Sequence, residues 1–133
     1  MKTNSIHQTV QFEATPKQIY DLIMDAKLHS SITGSSVVIS NEVEGTFSVF
    51  DGYCTGYNIE LADGEKIVQA WNFKEDGWPD THYSICTFVF NKADNGCILD
   101  FTQTNVPEHK IQALTDGWND YYWEPIKNYL ANK

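Results

Sequence analysis

Histidine, cysteine and carboxylate side chains are where chemistry would start, and their spacing here points away from most of it. His7, His29, His82 and His109 are scattered, with no H-x-x-x-H or H-E-x-x-H pair to bring two imidazoles onto one metal. Cys54, Cys86 and Cys97 are odd in number and form no C-x-x-C, so they read as buried free thiols on strands. No metal and no other cofactor is expected. The sequence contains no G-x-S-x-G elbow for a serine nucleophile. Its glycines precede turns and do not form a strand-to-helix phosphate cradle. General acid–base work needs a carboxylate or imidazole desolvated until its pKa nears neutrality. His82, Asp100 and Glu60 are the strand-borne candidates. Asp100 alternates with Leu99 and Phe101 and so faces solvent. His82 shares parity with Ser84, Cys86 and Phe88 but sits at the strand's mouth, where a structural or surface role is favoured. No catalytic residue is assigned.

The charge balance narrows the partners. The chain carries a net charge of −9, and all nine basic residues are lysine. A cationic face able to neutralise phosphates is hard to build from such a composition, and no guanidinium is present for bidentate clamping. Nucleic acid and anionic membranes are excluded as natural partners; a basic protein surface or a small apolar ligand fits better. Residues Met1 to His7 lack an apolar signal core, and no apolar run is long enough to cross a membrane. A reducing cytoplasm is the expected compartment.

Positioning elements follow from the hydrophobic period. At 133 residues and 41% hydrophobic content, one domain spanning 1–133 with a real core is expected. His7 to Phe12 is compatible with a first strand. Thr15 and Pro16 start a helix with the stripe Ile19, Tyr20, Leu22 and Ile23, and a second short helix covers Ala26 to Ile32, ending at Gly34. The period then changes to two. Val37 and Ile39, Phe47 and Val49, and Tyr57, Ile59 and Leu61 mark successive strands, with turns at Glu44-Gly45 and Asp51-Gly52. Ile67, Gln69, Trp71 and Phe73 share one face, as do Ser84, Cys86, Phe88 and Phe90, and then Cys97, Leu99, Phe101 and Gln103. Pro107 or Glu108 opens a final helix. The fold class is α+β: a curved antiparallel sheet of about six or seven strands, two short helices after the first strand, and one long C-terminal helix as cover.

That last helix carries the most information. Ile111, Leu114, Trp118, Tyr121 or Tyr122, Pro125 and Tyr129 recur at steps of three and four and form one face. Gly117 in its interior costs roughly 1 kcal/mol relative to Ala, which is easier to tolerate where a large side chain or ligand approaches the backbone. Pro125 removes a helix hydrogen bond and should bend the axis. A bent helix over a curved sheet leaves either a space or a filled aromatic core. If a space, its lining is expected to be Phe47, Trp71, Cys86, Phe88, Leu99, Phe101, Leu114, Trp118 and Tyr122. In the loop Lys74 to Thr81, Trp78 and Asp80 are candidates for contact with a protein partner. Trp78 either projects as an anchor or folds back as a lid, and Glu75-Asp76 reads as a solvated acidic edge able to steer a basic partner.

The arrangement resembles the helix-grip fold of START-domain and birch-pollen-allergen-like proteins. Within that superfamily, Phe12-Glu13-Ala14-Thr15-Pro16, Glu44-Gly45-Thr46-Phe47, Asp51-Gly52, Gly56, Ile67-Val68 with Trp71, Trp78-Pro79, and Gly117-Trp118 with Tyr121-Tyr122 and Ile126-Lys127 are similar to the activator of heat-shock protein 90 ATPase family. The likeness runs from about Phe12 to Leu130 and is to the C-terminal domain of the eukaryotic co-chaperones. It departs from the family's pattern at Glu44-Gly45, where Gly-Gly is usual. In those two-domain proteins the N-terminal domain carries much of the chaperone binding and the stimulating segment, and that domain is expected to be absent here. The resemblance thus implies the architecture more firmly than the activation. It implies a non-enzymatic binding module, with a heat-shock protein 90-type chaperone or a small apolar molecule as partner. The alternative is a cyclase- or aromatase-like enzyme of the same superfamily. That alternative requires a pocket of several hundred Å³ holding a buried ionisable group.

Overall fold

Thr15 and Pro16 start the first helix as their residue types require. The Thr15 hydroxyl accepts from the Gln18 N–H at 3.2 Å, and the Gln18 side chain accepts from the Thr15 N–H at 2.8 Å, completing a capping box. The computed structural model describes residues 1–132. In it, strand β1 (Thr3–Phe12) precedes helices α1 (Pro16–Met24) and α2 (Ala26–Thr33). Six strands follow: β2 (Val38–Ile39), β3 (Thr46–Val49), β4 (Cys54–Ala62), β5 (Lys66–Phe73), β6 (Ser84–Ala93) and β7 (Gly96–Pro107). They form one antiparallel sheet in the order β1-β7-β6-β5-β4-β3-β2, so the first strand closes against the last. The sheet's inner face packs against α1, α2 and a continuous C-terminal helix that runs from Glu108 to Ala131.

Period-two patterning places the inner face on β5, β6 and β7 as the sequence implies. Ile67, Gln69, Trp71 and Phe73, Ser84 to Phe90 in steps of two, and Cys97 to Gln103 in steps of two are all buried. Strand β1 is longer than expected, and its Ile6, Val10 and Phe12 are buried on the same side as Gln8. Strand β4 overturns the expected parity. Tyr57 and Ile59 are exposed, whereas Cys54, Gly56 and Asn58 face inward. A bulge between Asn58 and Glu60 shifts the register, and the buried Asn58 amide donates to the carbonyls of Ser40 and Glu42 at 2.6 and 2.9 Å. Burying an amide is favourable there because it holds the 40–45 loop. Gly56 is required by close approach: a Cβ would stand 1.8 Å from the Ala70 carbonyl oxygen and 2.6 Å from the Phe47 ring.

The C-terminal helix departs from simple periodicity. After Ile111–Trp118 it widens into a π turn over Asn119–Trp123 before Glu124–Ala131. The Glu124 N–H reaches the Asn119 carbonyl, five residues back, and Pro125 follows with no N–H to give. The extra residue in this turn brings Tyr122 and Trp123 both inward, leaves Tyr121 outside, and buries Ile126. The inferred face is thus corrected: Trp123 and Ile126 join it, and Tyr122 takes the place left open between the two tyrosines.

Buried polar side chains hold the helix on the sheet. The Trp118 indole donates to Gln103 at 2.7 Å, and the Gln103 amide donates to the Ser84 hydroxyl at 2.8 Å. The Trp71 indole donates to Gln69 at 2.9 Å, and the Gln69 amide donates to Asn58 at 3.0 Å. The Trp123 indole donates to Gln8 at 2.9 Å. On α2, buried His29 must donate from Nδ1 to the Ile23 carbonyl at 2.8 Å, so its neutral Nε2 accepts from the Tyr122 hydroxyl at 2.8 Å. Among the described residues, every buried side-chain nitrogen and oxygen has a partner.

Two measurements check this scaffold. Gln103→Leu orphans the Trp118 N–H and should lower the unfolding free energy by about 1–3 kcal/mol in urea denaturation. A change below about 0.5 kcal/mol, the range of an ordinary surface substitution, would show the bond to be energetically idle. Burial lowers the His29 pKa from its usual value, so the unfolded chain binds the proton first. Stability is therefore full above pH ~6.5 and declines as pH falls through that value toward the lowered one. The stability gap between the native chain and His29→Gln should narrow from pH 8 to pH 5; a constant gap would remove His29 as the titrating group.

Candidate functional site

The helix grips a core that is solid along one half and open along the other. Phe88, Leu99 and Phe101 are almost wholly buried and pack with Trp118 and Trp123; Phe101 lies 4.4 Å from Trp118 and 5.4 Å from Trp123, ring centre to centre. Toward the helix start, between it and the β3–β4 end of the sheet, a cleft of about 500 Å³ opens. That volume lies within the usual range of small-molecule sites, about 300–1,000 Å³.

Of the nine residues expected around a cavity, Trp71, Leu114, Trp118 and Tyr122 line this cleft. Phe47, Cys86, Phe88, Leu99 and Phe101 do not; they belong to the packed core. The reason is the tilt of the aromatic layer. Trp71 stands 5.2 Å from Trp118 and 5.0 Å from Phe47, so the two indoles wall off the sheet behind them. Phe50, Tyr53, Cys54, Phe73, Glu75 and Tyr121 also line the cleft and were not assigned to a cavity from sequence, whereas Gly117 lines it, as a thin spot in the helix implied. One signal was available: Phe50 and Tyr53 bracket the Asp51-Gly52 turn, which turns two aromatic rings toward one end of the sheet.

The walls are rigid because each polar tip is occupied. Trp71, Trp118 and Tyr122 donate to Gln69, Gln103 and His29 respectively. At the rim Glu75 accepts a hydrogen bond from the Tyr53 hydroxyl and pairs with Lys110 at 3.2 Å, both partners of the pair being about one-fifth exposed (21% and 19%). Glu75 is thus a half-buried ion-paired group, not the solvated edge expected of it; the neighbouring Asp76 is exposed. His109 donates to the Gly77 carbonyl at 3.1 Å, tying the same loop to the helix start.

Trp78 folds back. It is buried, its ring lies 4.7 Å from Phe73, and its indole donates to the His82 carbonyl at 2.8 Å. An indole on the loop between β5 and β6 finds both an apolar wall and an acceptor this way, so the projecting-anchor arrangement is replaced by the lid. Asp80 remains exposed, while its carbonyl accepts from Asn72 at 3.1 Å. His82 takes no place in the cleft; its Nε2 donates to the Asn105 carbonyl at 2.7 Å. Asp100 pairs with His7 at 2.6 Å on the outer face.

Burial sets the protonation of the thiol and phenols around the cleft. Burial pushes the Cys54 thiol far above its ordinary range, and the Glu75 charge adds to this. Burial and the hydrogen bond to Glu75 raise Tyr53, and burial raises Tyr122. All three stay protonated at neutral pH, so none supplies a thiolate or phenolate nucleophile. No cluster of three or more potential metal ligands occurs among the described residues. Among the described residues no helix is long and apolar enough to cross a membrane.

Comparison with known proteins gives one consistent result. Residues 13–131 match the profile of the family described as activator of Hsp90 ATPase homolog 1-like protein. The mouse activator of 90 kDa heat shock protein ATPase homolog 2 is 29% identical over 128 residues, covering 96% of this chain and 38% of that protein. The Dictyostelium discoideum activator of 90 kDa heat shock protein ATPase homolog is 27% identical, covering 97% of this chain and 33% of its own. The chain therefore spans about a third of the length of these relatives. A crystal structure of an HSP90 activator from Plasmodium falciparum superposes with a TM-score of 0.88 at 25% identity, covering 96% of each chain.

Gly117 offers a direct check on the cleft. A Cβ built there meets nothing nearer than Tyr121 Cδ2 at 3.9 Å, so no side chain of the protein occupies the space above it. Gly117→Ala should then raise the unfolding free energy by about 0.4–1 kcal/mol, through helix propensity and a less flexible unfolded chain. A destabilised alanine variant in thermal or urea unfolding would mean that the backbone itself requires glycine.

Proposed function

The chain belongs to the activator of Hsp90 ATPase homolog 1-like family, and from that membership we propose that it binds and regulates a chaperone of the heat-shock protein 90 type without catalysing a reaction itself. The observation that carries this reading is the match along nearly the full extent of both chains to a protein described as an HSP90 activator, at a TM-score of 0.88. The longer relatives share the same segment, and both are named as activators of the 90 kDa heat shock protein ATPase.

Physical features of the chain support a binding role. The net charge of −9 creates a field that attracts a basic protein surface and accelerates encounter with it. Asp76 and Asp80 on the tied-down loop, and Asp116, Asp120 and Glu124 on the C-terminal helix, are exposed and able to meet such a surface. They sit on rigid elements: the loop is held by Asn72, Trp78 and His109, and the helix by its indole bonds. A surface organised in this way loses little conformational freedom on binding.

Titration of the purified protein into its own organism's heat-shock protein 90, with ATP turnover followed in parallel, tests the proposal. Binding should be detectable and should weaken as salt rises from about 50 to 300 mM, because exposed charges are screened beyond about a Debye length. ATP turnover should change on saturation. No binding and unchanged turnover would remove the chaperone as partner.

A further inference from the structure

The cleft beside Gly117 has a chemistry more specific than apolar. Its lining is largely aromatic, chiefly Phe50, Trp71, Trp118 and Tyr121, and aromatic rings attract a cation over their faces. Among its lining residues the one full charge is the Glu75 carboxylate. That carboxylate receives the Tyr53 hydroxyl and Lys110, which use part of its capacity, since an ionised carboxylate offers about four lone-pair sites. The lining segments also carry exposed acids: Asp51 follows Phe50, Asp76 follows Glu75, Asp116 precedes Gly117 and Asp120 precedes Tyr121. Against them stand Lys110, already engaged, and the exposed Lys74.

We propose that this cleft binds a small amphiphile with an aromatic or apolar body and a protonated amine, the rings taking the body and Glu75 the amine. The inference stands apart from the chaperone reading and needs no chaperone to be tested. Three ligand classes compete for such a space, and the charges separate them. A carboxylate ligand would bring a second anion against Glu75 and into a field set by four further acids. A neutral apolar ligand would cover the mouth and strip water from Glu75 without replacing its hydrogen bonds, which is unfavourable. An ammonium group replaces that water with a charge-assisted bond, and the acidic rim raises its local concentration. The rings need not rearrange, because Trp71, Trp118 and Tyr122 are already fixed by their buried acceptors.

Three probes of one skeleton test the proposal: 4-phenylbutylamine, 4-phenylbutanol and 4-phenylbutyrate, titrated at low salt while the indole N–H resonances of Trp71 and Trp118 are followed by NMR. The amine should bind about tenfold or more tightly than the alcohol and the carboxylate, as expected for a charge-assisted contact. Glu75→Gln should reduce that preference to about twofold or less while leaving the alcohol's affinity unchanged. Lys110→Met frees the carboxylate and should strengthen amine binding, the opposite sign. Damage to the fold would weaken both variants together, so the opposed signs separate charge recognition from instability. Equal or tighter binding of the alcohol or the carboxylate would overturn the proposal. So would resonances that none of the probes shifts, or an amine preference that survives Glu75→Gln.

Discussion

A buried indole must give its N–H to an acceptor, and that requirement organises this protein. Each of the four tryptophans meets it: Trp71 at Gln69, Trp118 at Gln103, Trp123 at Gln8, and Trp78 at the His82 carbonyl. Three of these acceptors are glutamines on inner-face strand positions, where an apolar residue would be the default. A glutamine is costly there unless both ends of its amide are used. Gln69 and Gln103 use both, donating to Asn58 and Ser84. Apolar burial alone would let the helix slide or roll over a greasy sheet with little penalty. A directional N–H bond at 2.7 Å does not, because a displacement of one residue leaves a donor and an acceptor both unmet in a low-dielectric interior.

The π turn follows from the same requirement. With Trp118 bound to β7 and Trp123 bound to β1, the helix must present two indoles five residues apart to neighbouring strands. An unbroken α-helix turns about 500° over five residues, well past one full circle, and would aim Trp123 to one side of Trp118. A turn with one residue more per circle returns Trp123 to the inner face. The rings then stack at 5.6 Å with 19° between planes. Pro125 does not cause this widening by itself, but it makes it inexpensive, since the interruption of the hydrogen-bond ladder falls beside a residue with no N–H to leave unpaired.

Hydrophobic period and capping chemistry were legible in the residues. Thr15-Pro16, Gly34, the Asp51-Gly52 turn and the three inner-face quartets of β5 to β7 all fall where the pattern puts them. So does the helix-grip arrangement of a curved seven-stranded sheet under a long helix. The failures have a common cause: a single inserted residue that reverses or rotates everything after it. The bulge after Asn58 separates the outward Tyr57 and Ile59 from Leu61, which packs against the core, so no single parity covers that strand; the π turn brings Trp123 in beside Tyr122 and leaves Tyr121 outside. Neither insertion alters composition or period enough to be seen in one sequence. The cleft was half legible. Its helix side could be inferred from Leu114, Trp118 and Tyr122, but its rim depends on Glu75 reaching Lys110 across 35 positions of chain, which no local pattern encodes.

Folding alone gives no reason for the cleft to remain open. Gly117 weakens the helix by roughly 1 kcal/mol relative to alanine, and unfilled space beside it forfeits the dispersion contacts that close packing would supply. The other half of the same interface shows that this sequence can fill such space, since Phe88, Phe101, Trp118 and Trp123 leave none. The half-buried Glu75–Lys110 pair adds a further cost, because desolvating two charges offsets much of their attraction. Three locally unfavourable choices therefore converge on one spot: a glycine in a helix, a gap in an aromatic layer and an ion pair drawn out of water. Each alone is an ordinary imperfection. Their coincidence at one opening, on walls held fixed by buried hydrogen bonds, is the physical basis of the binding proposed there.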